Sequence, residues 1–202
     1  MTHYFQTPDA PERRHDITAT IWGRDYHLTA SNGVFSASRL DPGTAVLFRL
    51  TEPPVDRPAR FLDLGCGIGP IAIALADHCP AAQVDAIDSN QRAVELTADN
   101  ARHLGLSDRI TATTPDQIDP GAQYDEIWSN PPIRIGKDAL HDLLTRWLNR
   151  LTSTGHANLV VSKNLGADSL ATWLDSHGWQ VMRRGSAKGF RVFRIDSATS
   201  LR

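Results

Sequence analysis

The chain contains few of the residues that mark secreted, membrane-bound or metal-dependent proteins. Only two of its 202 residues are cysteines, and its eight histidines lack the spacing of metal ligands, so neither a disulfide framework nor a metal site is expected. No apolar run approaches the roughly 18–20 residues that span a bilayer. The stretch 1–15 is polar and lacks the apolar core of a signal peptide. We therefore expect a cytoplasmic protein without membrane contact.

Positive and negative charges nearly balance over the whole chain, but they are unevenly distributed along it. The formal net charge is -2, which excludes a generally basic nucleic-acid coat protein. Residues 1–133 contain 10 Lys and Arg against 18 Asp and Glu, whereas residues 134–194 contain 10 against 4. Such asymmetry is compatible with a surface for a polyanion, and on charge alone an ordinary solvated surface is the alternative.

Three common catalytic or nucleotide-binding motifs are missing. The chain has no G-x-S-x-G nucleophile motif. Its glycine-rich stretch, FLDLGCGIGP, ends in Pro70 and breaks the dinucleotide spacing G-x-G-x-x-G, and no Lys-Ser/Thr pair of a P-loop follows. Cys66 lies within this stretch without an activating histidine, which favours a small residue near a ligand over a nucleophile.

Strands and helices alternate from residue 59 onwards. This alternation predicts a doubly wound, Rossmann-like α/β fold with a seven-stranded, mostly parallel sheet that ends in a C-terminal β-hairpin. The predicted strands cover 59–65, 84–88, 109–114, 124–129 and 156–163, with two more inside 179–195, and the helices cover 70–79, 91–105, 138–151 and 168–178.

The first fifty residues have a different pattern. Polar and apolar residues alternate over 19–42, with turn signals at 22–25 and 31–33, which predicts short antiparallel strands or a hairpin. Asp41 is positioned to cap a short helix over 44–51. We therefore expect two units, a β-rich extension at 1–52 packed on a catalytic domain at 53–202.

Polar and glycine residues follow the first two strands of the predicted sheet. The pattern D-x-G-x-G-x-G follows the first strand and an acid ends the second; such an acid can bind both hydroxyls of a ribose. These residues resemble the class I S-adenosylmethionine-dependent methyltransferases. The resemblance implies S-adenosyl-L-methionine as cofactor, with these contact residues: Asp63, Gly65, Cys66, Gly67, Gly69, Asp88, Ser89 and Asp116.

The fourth strand ends in the rigid sequence SNPPIRIGK, residues 129–137. By the same resemblance, Asn130 and Pro131 accept the N–H bonds of a planar, poorly nucleophilic amine, and Pro132 supports the corner. The alignment of such an amine with a sulfonium methyl group needs only positioning and electrostatics. Relatives carry Phe or Tyr where this chain has Ile133. Phe35 and Trp128 are the candidates for a substitute aromatic, and burial in the strand is the alternative for Trp128.

Further segments extend the resemblance to residues 3–194: GVFS, LDPGT and VVSKNLGADSL. They are similar to the small-domain methyltransferases typified by the 16S ribosomal RNA guanine-N2 enzymes. The implied partner is ribosomal RNA or a ribosomal subunit, with a monomer compatible with the sequence. The expected substrate contacts are Phe35, Ile133, Arg134, Lys137 and Lys163.

The sequence leaves alternatives open for both the substrate and the activity. Well-known members carry two tandem copies, one of them degenerate in cofactor binding, whereas this chain has one copy with its glycine loop intact. The near alternative is methylation of another base, of transfer RNA or of a protein glutamine. The alternative of another class is a noncatalytic RNA-docking module.

Overall fold

The computed structural model describes residues 11–34, 39–132 and 135–197. Seven strands form one sheet in the order β5-β4-β3-β6-β7-β9-β8, and β1 and β2 form a separate antiparallel hairpin. The strands are β1 Arg14–Ile21, β2 Arg24–Ser31, β3 Ala59–Leu64, β4 Ala82–Ile87, β5 Ile110–Thr113, β6 Tyr124–Ser129, β7 Leu151–Ser162, β8 Trp179–Ala187 and β9 Phe190–Ser197. The helices are α1 Pro42–Arg49, α2 Pro70–His78, α3 Gln91–His103, α4 Lys137–Leu148 and α5 Ala167–Ser176.

The sheet is parallel from β5 to β7, and β9 and β8 close it as an antiparallel hairpin. This is the fold class that the sequence predicts, and it is confirmed. Helices cover both faces, so the central strands are apolar on both sides. Phe61 of β3 belongs to the core beneath α2 and α3, whereas its neighbour Leu62 belongs to the core beneath α4 and α5.

The N-terminal hairpin turns through two residues, Trp22 and Gly23, both with positive φ, +46° and +81°. A two-residue turn of this kind matches the twist of paired strands. Alternate residues of both strands enter the same core as α1, α2 and α3. Because these contacts cross the predicted boundary at residue 52, the division into 1–52 and 53–202 stays a proposal about organisation along the chain.

The strand after α4 differs from its predicted start. The sequence predicts a helix to residue 151 and a strand from 156, but α4 ends at Leu148 and β7 begins at Leu151. Leu151 pairs with Tyr124 of β6, and Tyr124 N–H donates to Arg150 O at 2.8 Å. This pairing joins residues distant in sequence, so helical periodicity alone extends the helix too far.

No helix within the described ranges is both long enough and apolar enough to cross a membrane.

Candidate active site

A cavity of about 430 Å³ lies at the carboxyl edge of the sheet. The order of strands reverses between β3 and β6, which are neighbours without being consecutive. Ligands of open α/β sheets bind at such a switch point. The wall of the cavity combines the segments after β3, β4 and β6 with the starts of α1 and β9.

The glycine loop between β3 and α2 is held against the end of β4. The N–H groups of Gly65 and Cys66 donate to Ile87 O at 2.9 and 3.0 Å. Gly65, Gly67 and Gly69 have φ values of +81°, +59° and +85°, a region in which other residues are strained. Gly67 lines the cavity, and a Cβ added there would meet nothing within 4 Å. The loop therefore leaves space for a ligand against its backbone.

Asp88 follows β4 and bridges the glycine loop to the start of α3. Its Oδ2 accepts from Gly67 N–H at 3.0 Å, and its Oδ1 accepts from Asn90 N–H at 2.9 Å. Burial raises the pKa of this carboxyl above its usual value. The backbone N–H of Ser89 also donates to this carboxylate, and a carboxylate offers about four acceptor sites, so a ligand hydroxyl can still donate to Asp88. Both Asp88 and its exposed neighbour Ser89 line the cavity.

Asp63 lies beneath the loop and does not line the cavity. Its side chain is fully buried, and its Oδ2 accepts from Ala72 N–H in the first turn of α2 at 3.0 Å. Burial raises the pKa of Asp63 to about 8, and its Oδ1 has no hydrogen-bond partner. In this structure Asp63 supports the loop and α2, whereas the resemblance makes it a direct cofactor contact.

Thr97 of α3 holds the glycine loop from below, a role that the sequence analysis missed. Its Oγ1 donates to Gly67 O at 3.1 Å and lies 3.4 Å from Cys66 Sγ. A Cβ on Gly69 would stand 2.8 Å from Thr97 Cγ2, so only glycine fits there. Burial raises the pKa of the Cys66 thiol well above its usual value, which agrees with a small cavity-lining residue and not with a nucleophile.

The Asn-Pro-Pro corner lies beside the glycine loop. Ser129 Oγ donates to Leu64 O at 2.6 Å and so fixes the end of β6 to the end of β3. Asn130, Pro131 and Pro132 all line the cavity. The structure therefore brings the predicted catalytic residues and Asp88 to one cavity.

The amide of Asn130 is bound from the N-terminal part of the chain. Its Nδ2 donates to Asp41 Oδ1 at 2.6 Å and to Thr44 Oγ1 at 3.1 Å. Asp41 caps α1, and Thr44 lies in its first turn. From sequence, Asp41 is predicted only as a helix cap, because nothing in the spacing indicates a contact across 89 positions.

Among the described residues, the aromatic side chain at the cavity is not Trp128. Trp128 is only 2% exposed, and its Nε1 donates to Glu126 Oε2 at 2.8 Å, so it faces the core. Phe35 lies outside the described residues. Phe190, at the start of β9, is half-buried and is the one aromatic side chain among the described residues that line the cavity. A glycine-containing turn before a terminal strand gives no sign of this position.

The other predicted contacts either do not line the cavity or fall outside the described residues. Ile133 and Arg134 are not among the described residues. Asp116, Lys137 and Lys163 are described but do not line the cavity, although Pro115 does. A hydrogen bond from Thr114 lowers the pKa of Asp116. Lys137 and Lys163 are exposed near this edge, at the start of α4 and just after β7.

The cations of the terminal hairpin fall into two groups. Arg191 pairs with Asp168, and Arg194 pairs with Asp196 at 2.8 Å. Arg183, Arg184 and Lys188 are exposed, and no acidic partner is found for them among the described residues. The described residues also contain no group of three or more His, Cys, Asp or Glu that could hold a metal ion.

Comparisons with known proteins agree with this geometry. A family model, the methyltransferase small domain, matches residues 25–194. Protein YbxB of Bacillus subtilis, itself uncharacterised, is 29% identical over 195 residues, 95% of this chain and 96% of that protein. The ribosomal RNA small subunit methyltransferase C of Shewanella loihica is 34% identical over 176 residues, 78% of this chain and 47% of that enzyme. The enzyme of the same name from Alcanivorax borkumensis is 30% identical and covers 84% of this chain and 52% of its own length. The chain thus spans about half the length of these two enzymes.

Solved structures show the same fold. The Thermus thermophilus 16S rRNA N2 G1207 methyltransferase, in complex with AdoMet and guanosine, superposes with a TM-score of 0.76 at 22% identity. The match covers 94% of this chain and 52% of that one. A ribosomal protein L11 methylase from Lactobacillus delbrueckii gives a TM-score of 0.63, also at 22% identity, over 79% of this chain and 84% of its own.

Proposed function

The chain belongs to the methyltransferase small domain family, and from this premise we propose that it transfers a methyl group from S-adenosylmethionine to a nitrogen of RNA. The acceptor of the proposal is guanine N2 of 16S ribosomal RNA. The observation that carries it is the shared cavity: Asp88, proposed to bind the ribose, and Asn130, proposed to bind the acceptor amine, line the same space.

The residues present fit S-adenosylmethionine. The glycine loop leaves open space at Gly67, and Asp88 lines the cavity at the position of an acid that accepts from ribose hydroxyls. Helix α2 begins at the loop, and the partial positive charge of its N-terminus favours a carboxylate nearby. When bound, the cofactor supplies an electrophilic methyl group on a sulfonium sulfur.

The corner residues act on the acceptor nitrogen. An exocyclic amine on a purine is a poor nucleophile because its lone pair is delocalised into the ring. In the proposal, Asn130 Oδ1 and Pro131 O each accept one N–H bond of this amine and aim the lone pair at the methyl group. The N–H protons become more acidic as the new bond forms, so these hydrogen bonds strengthen towards the transition state. Proline at 131 and 132 fixes the backbone that carries the acceptor carbonyl.

Phe190 supplies the flat surface that this chain lacks at Ile133. Base–aromatic stacking contributes about 1–3 kcal/mol per base, and an isoleucine cannot provide it. Phe190 lies close to the corner. A Cβ added to Gly43 would stand 2.9 Å from Phe190 Cε1 and 3.2 Å from Asn130 Nδ2, so both side chains approach the same point. A planar base held by Phe190 would thus have its amine near Asn130.

Two substitutions separate cofactor binding from methyl transfer. We expect Asp88→Ala to weaken S-adenosylmethionine binding by at least about tenfold, because it removes the acceptor of the ribose hydroxyls and a support of the loop. We expect Asn130→Ala to bind the cofactor normally but to lose about 10²–10³ in kcat, the usual cost of one such electrostatic contact. Calorimetry measures the first effect, and transfer of labelled methyl groups to small-subunit RNA measures the second.

The controls are exposed residues of the same types, Asp175→Ala on α5 and Asn149→Ala at the end of α4. Both should bind and turn over as the wild type does. Wild-type protein that binds no S-adenosylmethionine would contradict the enzymatic proposal. Near wild-type turnover by Asn130→Ala would contradict the role of the corner, and transfer only to protein would replace RNA as the acceptor.

A further inference from the structure

The orientation of the Asn130 side chain is determined by its neighbours and not by the asparagine itself. Asn130 Nδ2 donates to Asp41 Oδ1 at 2.6 Å and to Thr44 Oγ1 at 3.1 Å. A primary amide has two N–H donors, so both are used. Oδ1 is then the part of the amide left to accept a hydrogen bond at the cavity.

The charge of Asp41 excludes the flipped amide. An ionised carboxylate accepts hydrogen bonds and cannot donate one. If the amide of Asn130 turned over, its Oδ1 would face Asp41 Oδ1, and two acceptors would meet at hydrogen-bonding distance. A neutral partner at position 41 would allow either orientation.

Asp41 is itself rigidly held, because the same oxygen caps α1. Oδ1 also accepts from Gly43 N–H at 2.7 Å and from Thr44 N–H at 3.0 Å. Gly43 is required here for space: a Cβ would stand 2.9 Å from Asp41 Oδ1 and 3.2 Å from Asn130 Nδ2. The cap, the glycine and the amide therefore form one closely packed unit.

The other end of α1 is fixed to the N-terminal hairpin. Trp22 Nε1, at the hairpin turn, donates to Phe48 O at 3.1 Å and to Thr51 O at 3.0 Å. Val46, Leu47 and Phe48 are buried in the core. The helix that carries Asp41 and Thr44 is thus held at both ends, and its first turn has little freedom to move relative to the corner.

We propose that Asp41 and Thr44 are positioning residues for methyl transfer, which hold the Asn130 amide with its oxygen towards the acceptor amine. The inference rests on the proposed function and deepens it. It assigns to the N-terminal extension a part in turnover, by way of α1, in addition to its packing on the sheet.

The variants are chosen to keep the helix cap. In Asp41→Ser the side chain still caps α1, since serine is among the favoured caps, but it is too short to reach Asn130. In Thr44→Val the shape is kept and the acceptor is lost, whereas Thr44→Ser keeps the acceptor. Thr172→Val, on α5 outside the cavity, is the matched control, because it makes the same substitution at another helical threonine whose hydroxyl is hydrogen-bonded, there to Asp168 O.

We expect kcat to fall about 10–100-fold in Asp41→Ser and about three- to tenfold in Thr44→Val. The KM for RNA and the affinity for S-adenosylmethionine should stay within about threefold of the wild type, because the contact matters most in the transition state. Thr44→Ser should recover most of the loss. Unchanged kcat in a folded Asp41→Ser protein would overturn the proposal.

A double substitution tests whether Asp41 acts through Asn130. In an Asn130→Ala background, Asp41→Ser should cause no further loss of kcat, because the amide that it positions is gone. A full additional loss would show that Asp41 acts in another way.

The failure of this inference can be told apart from the failure of the proposed function. In nuclear magnetic resonance spectra, the Asn130 side-chain amide hydrogens should exchange slowly in the wild type and at least tenfold faster in Asp41→Ser. This readout needs no activity on RNA. Equal exchange rates would overturn the inference, whatever the acceptor of the methyl group is.

Discussion

At the scale of single residues, two acids near the glycine loop have different environments. The resemblance assigns both Asp63 and Asp88 to cofactor binding. Asp88 lines the cavity, but Asp63 is fully buried and bonds to α2. Alternation along β3 explains the difference: Asp63 lies on the same face as Phe61, towards α2. The presence of acids at the ends of β3 and β4 could be read from the sequence, whereas which of the two lines the cavity could not.

The buried Asp63 makes stability depend on pH. Its pKa is raised from 3.8 to about 8, so between these values the folded state holds a proton that the unfolded state has lost. Stability therefore falls as pH rises through this window. Asp63→Asn stays neutral and can still accept from Ala72 N–H. Between pH 5 and pH 8 we expect the free energy of unfolding of Asp63→Asn to rise relative to that of the wild type. The rise should exceed about 1.4 kcal/mol, the equivalent of one pKa unit.

Urea unfolding at pH 5, 6.5 and 8, without cofactor, measures this difference. The comparison between the two proteins cancels the titration of all other groups. A constant difference in the free energy of unfolding across the three pH values would show that Asp63 is already ionised in the folded state.

Phe190 should matter for RNA and not for the cofactor. We expect Phe190→Leu to raise the KM for RNA about tenfold, since stacking is worth about 1–3 kcal/mol, with cofactor affinity unchanged. Phe193→Leu is the matched control: it lies in the same strand but belongs to the core beneath α4 and α5. It should lower stability and leave KM unchanged. Equal KM values for Phe190→Leu and the wild type in steady-state assays would remove Phe190 from the substrate site.

At the scale of elements, the N-terminal hairpin is joined to the cofactor side of the sheet by polar contacts. Asn100 of α3 accepts from Thr29 N–H at 2.7 Å and donates to Thr29 O and Ile68 O at 3.0 and 2.9 Å. It thus connects β2 to the glycine loop. Alternation and turn residues predict the hairpin itself, but its polar contacts with α3 depend on Asn100, which in the sequence looks like an ordinary polar residue of an amphipathic helix.

Loss of the Asn100 side chain should therefore destabilise the protein. In Asn100→Ala one buried and two part-buried backbone groups lose their partner, and an unsatisfied buried group costs about 1–3 kcal/mol. We expect a loss of at least about 2 kcal/mol in chemical denaturation, within the same range. Asn164→Ala, at an exposed position, should change stability by less than about 0.5 kcal/mol. Equal stability of the two variants would mean that the hairpin is docked by its apolar face alone.

At the scale of the whole molecule, the charge asymmetry seen in the sequence becomes a surface feature. The terminal hairpin contains five cations, and two of them, Arg191 and Arg194, have acidic partners. Arg183 and Arg184 of β8 are exposed. Ion pairing depends on which strands meet, so the sequence shows the amount of charge but not which charges are accessible.

The salt dependence of RNA binding should follow the accessible cations. If Arg183 and Arg184 each contact a phosphate, their joint replacement by Ala should lower the slope of log affinity against log salt by about 1.4–1.8. The control replaces Arg24 and Arg102, which are paired with Asp77 and Asp99, and should change the slope little. Fluorescence anisotropy over a salt series measures both. Identical slopes would place the RNA elsewhere on the surface.

We propose that this methyltransferase small domain, about half the length of the small subunit methyltransferases C that it matches, modifies guanine N2 of 16S ribosomal RNA. Mass spectrometry of nucleosides from the 16S RNA of a strain without the protein tests it most directly. We predict that N2-methylguanosine is reduced by one residue per RNA, and that the wild-type protein restores it but Asn130→Ala does not. Unchanged N2-methylguanosine in the deletion strain would contradict the claim.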